Sequence, residues 1–312
     1  MGNPRAEAAA RAGGRDGRVL EPSPPAVREP PFLADDPLDG GEVLPVERSG
    51  ATTWEELCGP PGTGDGDLRA WCEDRWLVPR RPIALPAAFA ETRRSLHAVA
   101  EHVLAPCRHA ATGKIGLRFT YHGFGTPFFG AGSGRQARVE DGDLVDDDGT
   151  PGNGRRTAVT TLREAAAFFG IEAGAPPGVY TPTTACDPDA HLSVDTAAAR
   201  ALGDWYGLCA RLLEQVRAES PPADAPSRVQ LWPEHFDLAL DAGPEGRRAN
   251  FGGSPGDDVH PEPYLYVGPW DTGAVGPHVY WNEPFGASLS FMEILCGADP
   301  LEFLRQGREL LR

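Results

Sequence analysis

The chain has 312 residues, enough for one large domain or two modest ones, and 40% of them are apolar, so a core can form. Asp and Glu number 45 against 29 Lys and Arg, a formal charge of −16 that repels nucleic-acid phosphates and anionic lipid. The basic residues come as pairs such as Arg80-Arg81 and Arg247-Arg248 rather than as runs, so neither a nucleic-acid partner nor a membrane surface is expected.

Residues 1–50 are rich in Arg, Glu, Pro and Gly and have no periodicity, which predicts a disordered arm. The first twenty residues lack the apolar stretch of a secretory signal, and no run approaches the ~18 apolar residues of a membrane helix. The six cysteines include no Cys-x-x-Cys pair, which argues against a structural zinc site. Together these features predict a cytoplasmic protein with reduced thiols.

A mixed α/β part is expected over 51–220. A helix starts near Thr52 or Thr53, with Glu55 and Glu56 in its first turn. Phe89, Leu96, Val99, Val103 and Leu104 fall at helical spacing over 88–110, with Pro106 as a limit. On that helix His97 and Glu101 share a face at i, i+4, read as an exposed charged surface. Lys114, the single lysine, opens an alternating strand to Tyr121, and a second strand covers Arg135–Glu140. The acidic segment Glu140–Asp148 reads as a solvated loop.

A short helix follows at Leu162–Phe169, with the capping box Thr161-Leu-Arg-Glu164 before it and Gly170 after it. The longest helix runs from Asp195 to about Glu219. The Pro-rich stretch Glu219–Pro226 is the best internal linker. No internal repeat is visible in the sequence.

An antiparallel β-rich part with a terminal helix is expected over 227–312, because short alternating aromatic runs are separated by turn signals. The fold class is therefore α+β, and the last two parts can share one core as a single domain. Gly252-Gly253-Ser254-Pro255-Gly256 matches the hydrolase elbow in letters only. Pro255 has no N–H for an oxyanion, so a tight turn is expected there.

Two functional readings arise from the β-rich part. In the first, Trp232, Tyr264, Tyr266, Trp270 and Trp281 line a site for a small molecule or partner segment, making the chain a non-catalytic binding module. In the second, period-two alternation brings His235 and Asp237 together with His260 and Glu262. That set would hold a divalent metal in a metal-dependent enzyme. His278, Tyr280 and Asn282 add a third alternating stretch.

Gly276-Pro277-His278-Val279-Tyr280-Trp281-Asn282 partly resembles the second cupin motif, which implies a β architecture only. Its glycine stands one residue too close to the histidine, and the first cupin motif is missing. Gly113-Lys-Ile-Gly-Leu-Arg118, Leu231-Trp-Pro-Glu-His-Phe-Asp237 and Pro263-Tyr-Leu-Tyr-Val-Gly-Pro-Trp270 resemble an uncharacterised protein family of GC-rich bacteria. That resemblance implies no activity.

Overall fold

The computed structural model describes residues 84–120, 122–127, 129, 135–147 and 154–312. The expected arm and the helix start at Thr52 or Thr53 lie outside the described residues.

The first long helix begins as expected, at α1 (Phe89–Val99), but passes through a π-helical turn (Ala100–Leu104) before α2 (Ala105–Thr112). Pro106 explains the turn. It has no N–H, so the regular ladder cannot continue past it. The Ala105 N–H bonds the Ala100 carbonyl five residues back, and the carbonyls of Glu101 and His102 are left for other donors.

Five strands follow: β1 (Arg118–Thr120), β2 (Gly123–Gly125), β3 (Gln136–Glu140), β4 (Asp143–Asp147) and β5 (Arg155–Ala158). They form an antiparallel meander in chain order. The solvated loop expected at Glu140–Asp148 is in fact β4, a central strand with Leu144 and Val145 buried. Its acids are matched by basic neighbours: Arg135 reaches Asp146 at 2.8 Å and Arg156 reaches Asp143 at 2.9 Å. The composition of the segment hides this pairing. α3 (Leu162–Phe169) is capped by Thr161, whose side chain accepts from the Glu164 N–H, and Gly170 ends it in the left-handed region.

α4 (Thr196–Glu219), capped by Asp195, opens the second half. The expected linker after it is a fixed 3-10 turn at Pro222–Asp224, with Asp224 buried and bonded by Arg312 at 3.1 Å. Strands β6 (Gln230–Trp232), β7 (Asp237–Ala242), β8 (Ala249–Ser254), β9 (Tyr264–Pro269) and β10 (Ala287–Ser290) form a second antiparallel meander. Ser254 closes β8 as its hydroxyl accepts from the Gly256 N–H at 3.2 Å, so the elbow-like stretch is a turn. α5 (Phe291–Leu295) starts from a complete capping box at Ser290 and Glu293, and α6 (Pro300–Leu310) follows.

The two sheets meet at one antiparallel bridge, where Leu117 and Leu231 exchange backbone hydrogen bonds of 2.7 Å. α4 lies across that seam, packing on β1, β2 and β3 of one sheet and on β7 and β8 of the other. One apolar core therefore runs through both parts, from Phe89 to Leu311. The order of elements repeats: a long helix, a five-stranded meander, then a helix with a hydroxyl N-cap. The repeat is visible in topology, not in residue identity.

Gly203 is where helix and sheet touch most closely. A Cβ there would lie 2.5 Å from the His122 carbonyl carbon and 2.7 Å from the Gly123 nitrogen. In an exposed helix Gly→Ala gains ~1 kcal/mol. Here Gly203→Ala is expected to lose ~1–3 kcal/mol through overpacking against backbone. Urea denaturation decides the sign.

Candidate functional site

A concave site lies in the long connection between β9 and β10. Its open cleft of about 600 Å³ is walled by Val275, Pro277, Trp281 and Pro284, with Thr272 and Glu283 among its polar groups. The connection has little regular structure, yet each part of it is fastened. Asp271 accepts from the Gly273 N–H at 2.9 Å, which fixes the 3-10 turn at Thr272–Ala274. Tyr280 is buried and donates to the Phe303 carbonyl at 2.9 Å, tying the connection to α6. The Trp281 ring packs edge-on against Tyr280, centroids 4.8 Å apart.

Asn282 acts as a strand edge, since its side chain accepts from the Ser288 N–H at 2.8 Å and donates to the Ser288 carbonyl at 3.0 Å. A tight bridge between Glu283 and Gly286 then turns the chain into β10. Gly286 is required there: its φ is 142°, and a Cβ would strike the Val267 carbonyl oxygen.

Glu283 joins the cleft to the outer face of the second sheet. Its Oε1 meets His260 Nε2 at 3.1 Å and accepts from the Ser288 hydroxyl at 3.0 Å. His260, Tyr264, Tyr266 and Phe285 make ring contacts in a closed sequence, with centroid separations of 4.9, 6.3, 6.5 and 6.4 Å. Tyr264 donates to Asp257 at 2.7 Å, and Tyr266 donates to Asp237. Trp232 and Asp237 are register partners across β6 and β7. Both are buried, and Trp232 Nε1 and Asp237 Oδ1 have no hydrogen-bond partner among the described residues.

A third cluster lies where α1 meets the β6–β7 turn. Phe236 has a φ of 55°, unusual for a bulky residue, and stacks on the His97 ring at 4.9 Å and 4°. His97 Nε2 donates to the Pro233 carbonyl at 2.9 Å. Burial pushes its imidazole pKa down to about 3, with the charges of His235, Arg93 and His102 acting the same way. Burial pushes the Glu234 carboxyl up to about 7, and Asp237 and Glu101 add to the rise.

Glu101 is completely buried and receives the N–H groups of Thr183 and Thr184 at 2.5 and 2.8 Å, as well as the Thr184 hydroxyl. The carbonyls released by the π-helical turn are used as well. Tyr180 donates to that of Glu101, and the Gly174 N–H donates to that of His102 at 3.0 Å. Thr183 donates through its hydroxyl to the Glu234 carbonyl at 2.7 Å. This cluster is an internal joint that fastens the segment 171–195 to the helix and the turn. It is closed to solvent, since Glu101, Glu234 and Asp237 are 0%, 6% and 2% exposed.

The exposed charged face expected at His97 and Glu101 is thus overturned. The expected metal ligands do not converge either: among the described residues, no three His, Cys, Asp or Glu side chains are grouped to hold an ion. β7 begins at Asp237, and the left-handed Phe236 breaks the alternation that would carry His235 onto the same face. His260 turns to Glu283, while Glu262 is exposed between two prolines. His278, Tyr280 and Asn282 belong to the fastened connection, not to a strand, so the cupin-like stretch carries no cupin geometry.

Of the expected aromatic residues, Trp232, Tyr264 and Tyr266 pack in one small buried cluster with Ala239. Trp281 walls the cleft. Trp270 stands apart, 39% exposed, with its indole donating to Asn250 at 3.0 Å and Arg248 over its ring. Glu283, the group that links cleft and aromatic face, has no mark of its own in the sequence; its neighbour Asn282 carries the only signal. Among the described residues no helix is long and apolar enough to cross a membrane. No protein-family model, curated protein or solved structure matches this chain.

Proposed function

We propose that this chain is a non-catalytic binding module that takes a small molecule in the cleft between β9 and β10. The observation that carries the reading is the cleft itself: about 600 Å³ of open concave space, apolar walls, a tryptophan ring and one carboxylate within reach. Ligand sites fall in that size range and combine apolar walls with a few placed polar groups. The cleft is also built to keep its shape. Tyr280, Asn282 and Glu283 are each held from a different element, so little ordering entropy opposes binding.

A fragment library screened by ligand-observed NMR tests the reading. Hits are expected that bind the wild type and lose at least about tenfold in affinity in Trp281→Ala, about 1.4 kcal/mol. Trp270→Ala, outside the cleft, is expected to leave them unchanged. A library without a single Trp281-dependent hit would overturn the proposal.

A further inference from the structure

Resting on the reading of the cleft as a ligand site, we propose that it selects an organic cation: an ammonium group at Glu283, with an apolar or aromatic body against Trp281. The charge of the lining comes first. Among the described residues that line the cleft, Glu283 is the one carboxylate, and no lysine or arginine stands beside it. An anionic ligand would meet like charge from Glu283 and from a chain of net charge −16.

Next comes the placement of the carboxylate. Both of its protein partners, His260 and Ser288, are on Oε1. Oε2 has no hydrogen-bond partner among the described residues, and the side chain keeps 21% exposure at the cleft. The fixed oxygen orients the carboxylate, and the second one is left to accept from a ligand donor. A charge-assisted N–H···O bond is about twice as strong as a neutral one.

Trp281 supplies the other half. An indole face is the best aromatic partner for an ammonium within about 6 Å. Edge-on packing against Tyr280 holds the ring as a wall, so its orientation is fixed before a ligand arrives. His278 brings no competing acceptor. Its Nδ1 accepts from the Tyr280 N–H at 3.1 Å, which leaves Nε2 to carry the proton of the neutral ring.

Three probes of one shape and different charge test this on the full chain: benzylamine, benzyl alcohol and benzoate, titrated at pH 7 with tryptophan fluorescence and calorimetry. Benzylamine is expected to bind at least about tenfold more tightly than either of the others. Glu283→Gln is expected to erase that preference, because the carboxamide oxygen still accepts from His260 and Ser288 while the charge is gone. The circular-dichroism spectrum and melting midpoint of that variant verify that the fold is kept. If it unfolds, Trp281→Ala serves instead, with loss of benzylamine binding expected.

Equal affinity for benzylamine and benzyl alcohol, or a preference for benzoate, would overturn the cation assignment and leave the binding module standing. An ammonium preference that survives Glu283→Gln would also overturn the assignment. No Trp281-dependent binding by any probe, together with an empty fragment screen, would remove both.

Discussion

Replacing Glu234 by Gln is expected to make the protein more stable at pH 8, on the order of 3 kcal/mol, and to turn a nearly flat stability–pH profile between pH 4.5 and 6.5 into a rising one. The Glu234 carboxyl titrates near 7 in the fold, against 4.5 when unfolded. Its folded-state pKa is raised, so its contribution is fully present below pH 4.5 and is lost as pH rises toward 7. A tenfold difference in proton affinity between folded and unfolded chain is worth ~1.4 kcal/mol. His97 behaves in the opposite way. Its pKa is depressed from 6.5 to about 3, so its contribution is present above pH 6.5 and is lost as pH falls toward 3.

The two windows overlap between pH 4.5 and 6.5, and there the slopes oppose each other. The wild type is expected to be nearly flat over that range. Glu234→Gln removes the falling component, so stability should then climb with pH. A His97→Gln variant should do the reverse and decline. Urea denaturation midpoints at pH 4.5, 5.5, 6.5 and 8 separate the three curves. A wild-type slope as steep as that of either variant would show that the two groups do not oppose each other.

Much of this fold is legible where local physics decides it. Thr161 announces a helix start, although only its hydroxyl closes on the Glu164 N–H while the Glu164 side chain turns to Thr160, and the apolar spacing of Leu202, Trp205, Tyr206, Cys209 and Leu213 places α4 across the core. What the sequence conceals is set by partners far away in the chain. β4 reads as a loop because its acids look solvated; only the fold brings Arg135 and Arg156 to them. Glu101 reads as surface because the donors that meet it, on Thr183 and Thr184, stand more than eighty residues downstream.

The candidate site shows the same division. Trp281 is visible as one aromatic among several, but its place in a cleft depends on the tethers from Tyr280 to α6 and from Glu283 to His260. Alternation of polar residues suggests ligands at His235 and Asp237, and a single left-handed residue, Phe236, undoes it. Nothing in a one-dimensional pattern marks a bulky residue for positive φ. Pro106 is the exception: a proline within a helical pattern does signal the freed carbonyls that hold the segment 171–195.

That segment supplies the second large effect. Glu101→Ala is expected to destabilise the protein by ~3–5 kcal/mol and to expose the segment to cleavage near Tyr180. The carboxylate is sealed, and three donors point at it: two backbone N–H groups and the Thr184 hydroxyl. Removing the acceptor leaves the Thr183 and Thr184 donors without their protein partner, at up to ~1–3 kcal/mol apiece where water does not replace it, since Thr184 is half-buried and Thr183 exposed. Glu101→Gln should lose less, since its amide oxygen still accepts while its NH₂ group faces donors it cannot satisfy. Asp189→Ala, at the fully exposed ion pair with Arg163 on the same segment, should leave stability nearly unchanged, because solvent screens that pair. Limited chymotrypsin digestion beside urea denaturation ranks the three. Equal loss from Glu101→Ala and Asp189→Ala would mean that the segment is held by its surface contacts, and the joint at the π-helical turn would lose its assigned role.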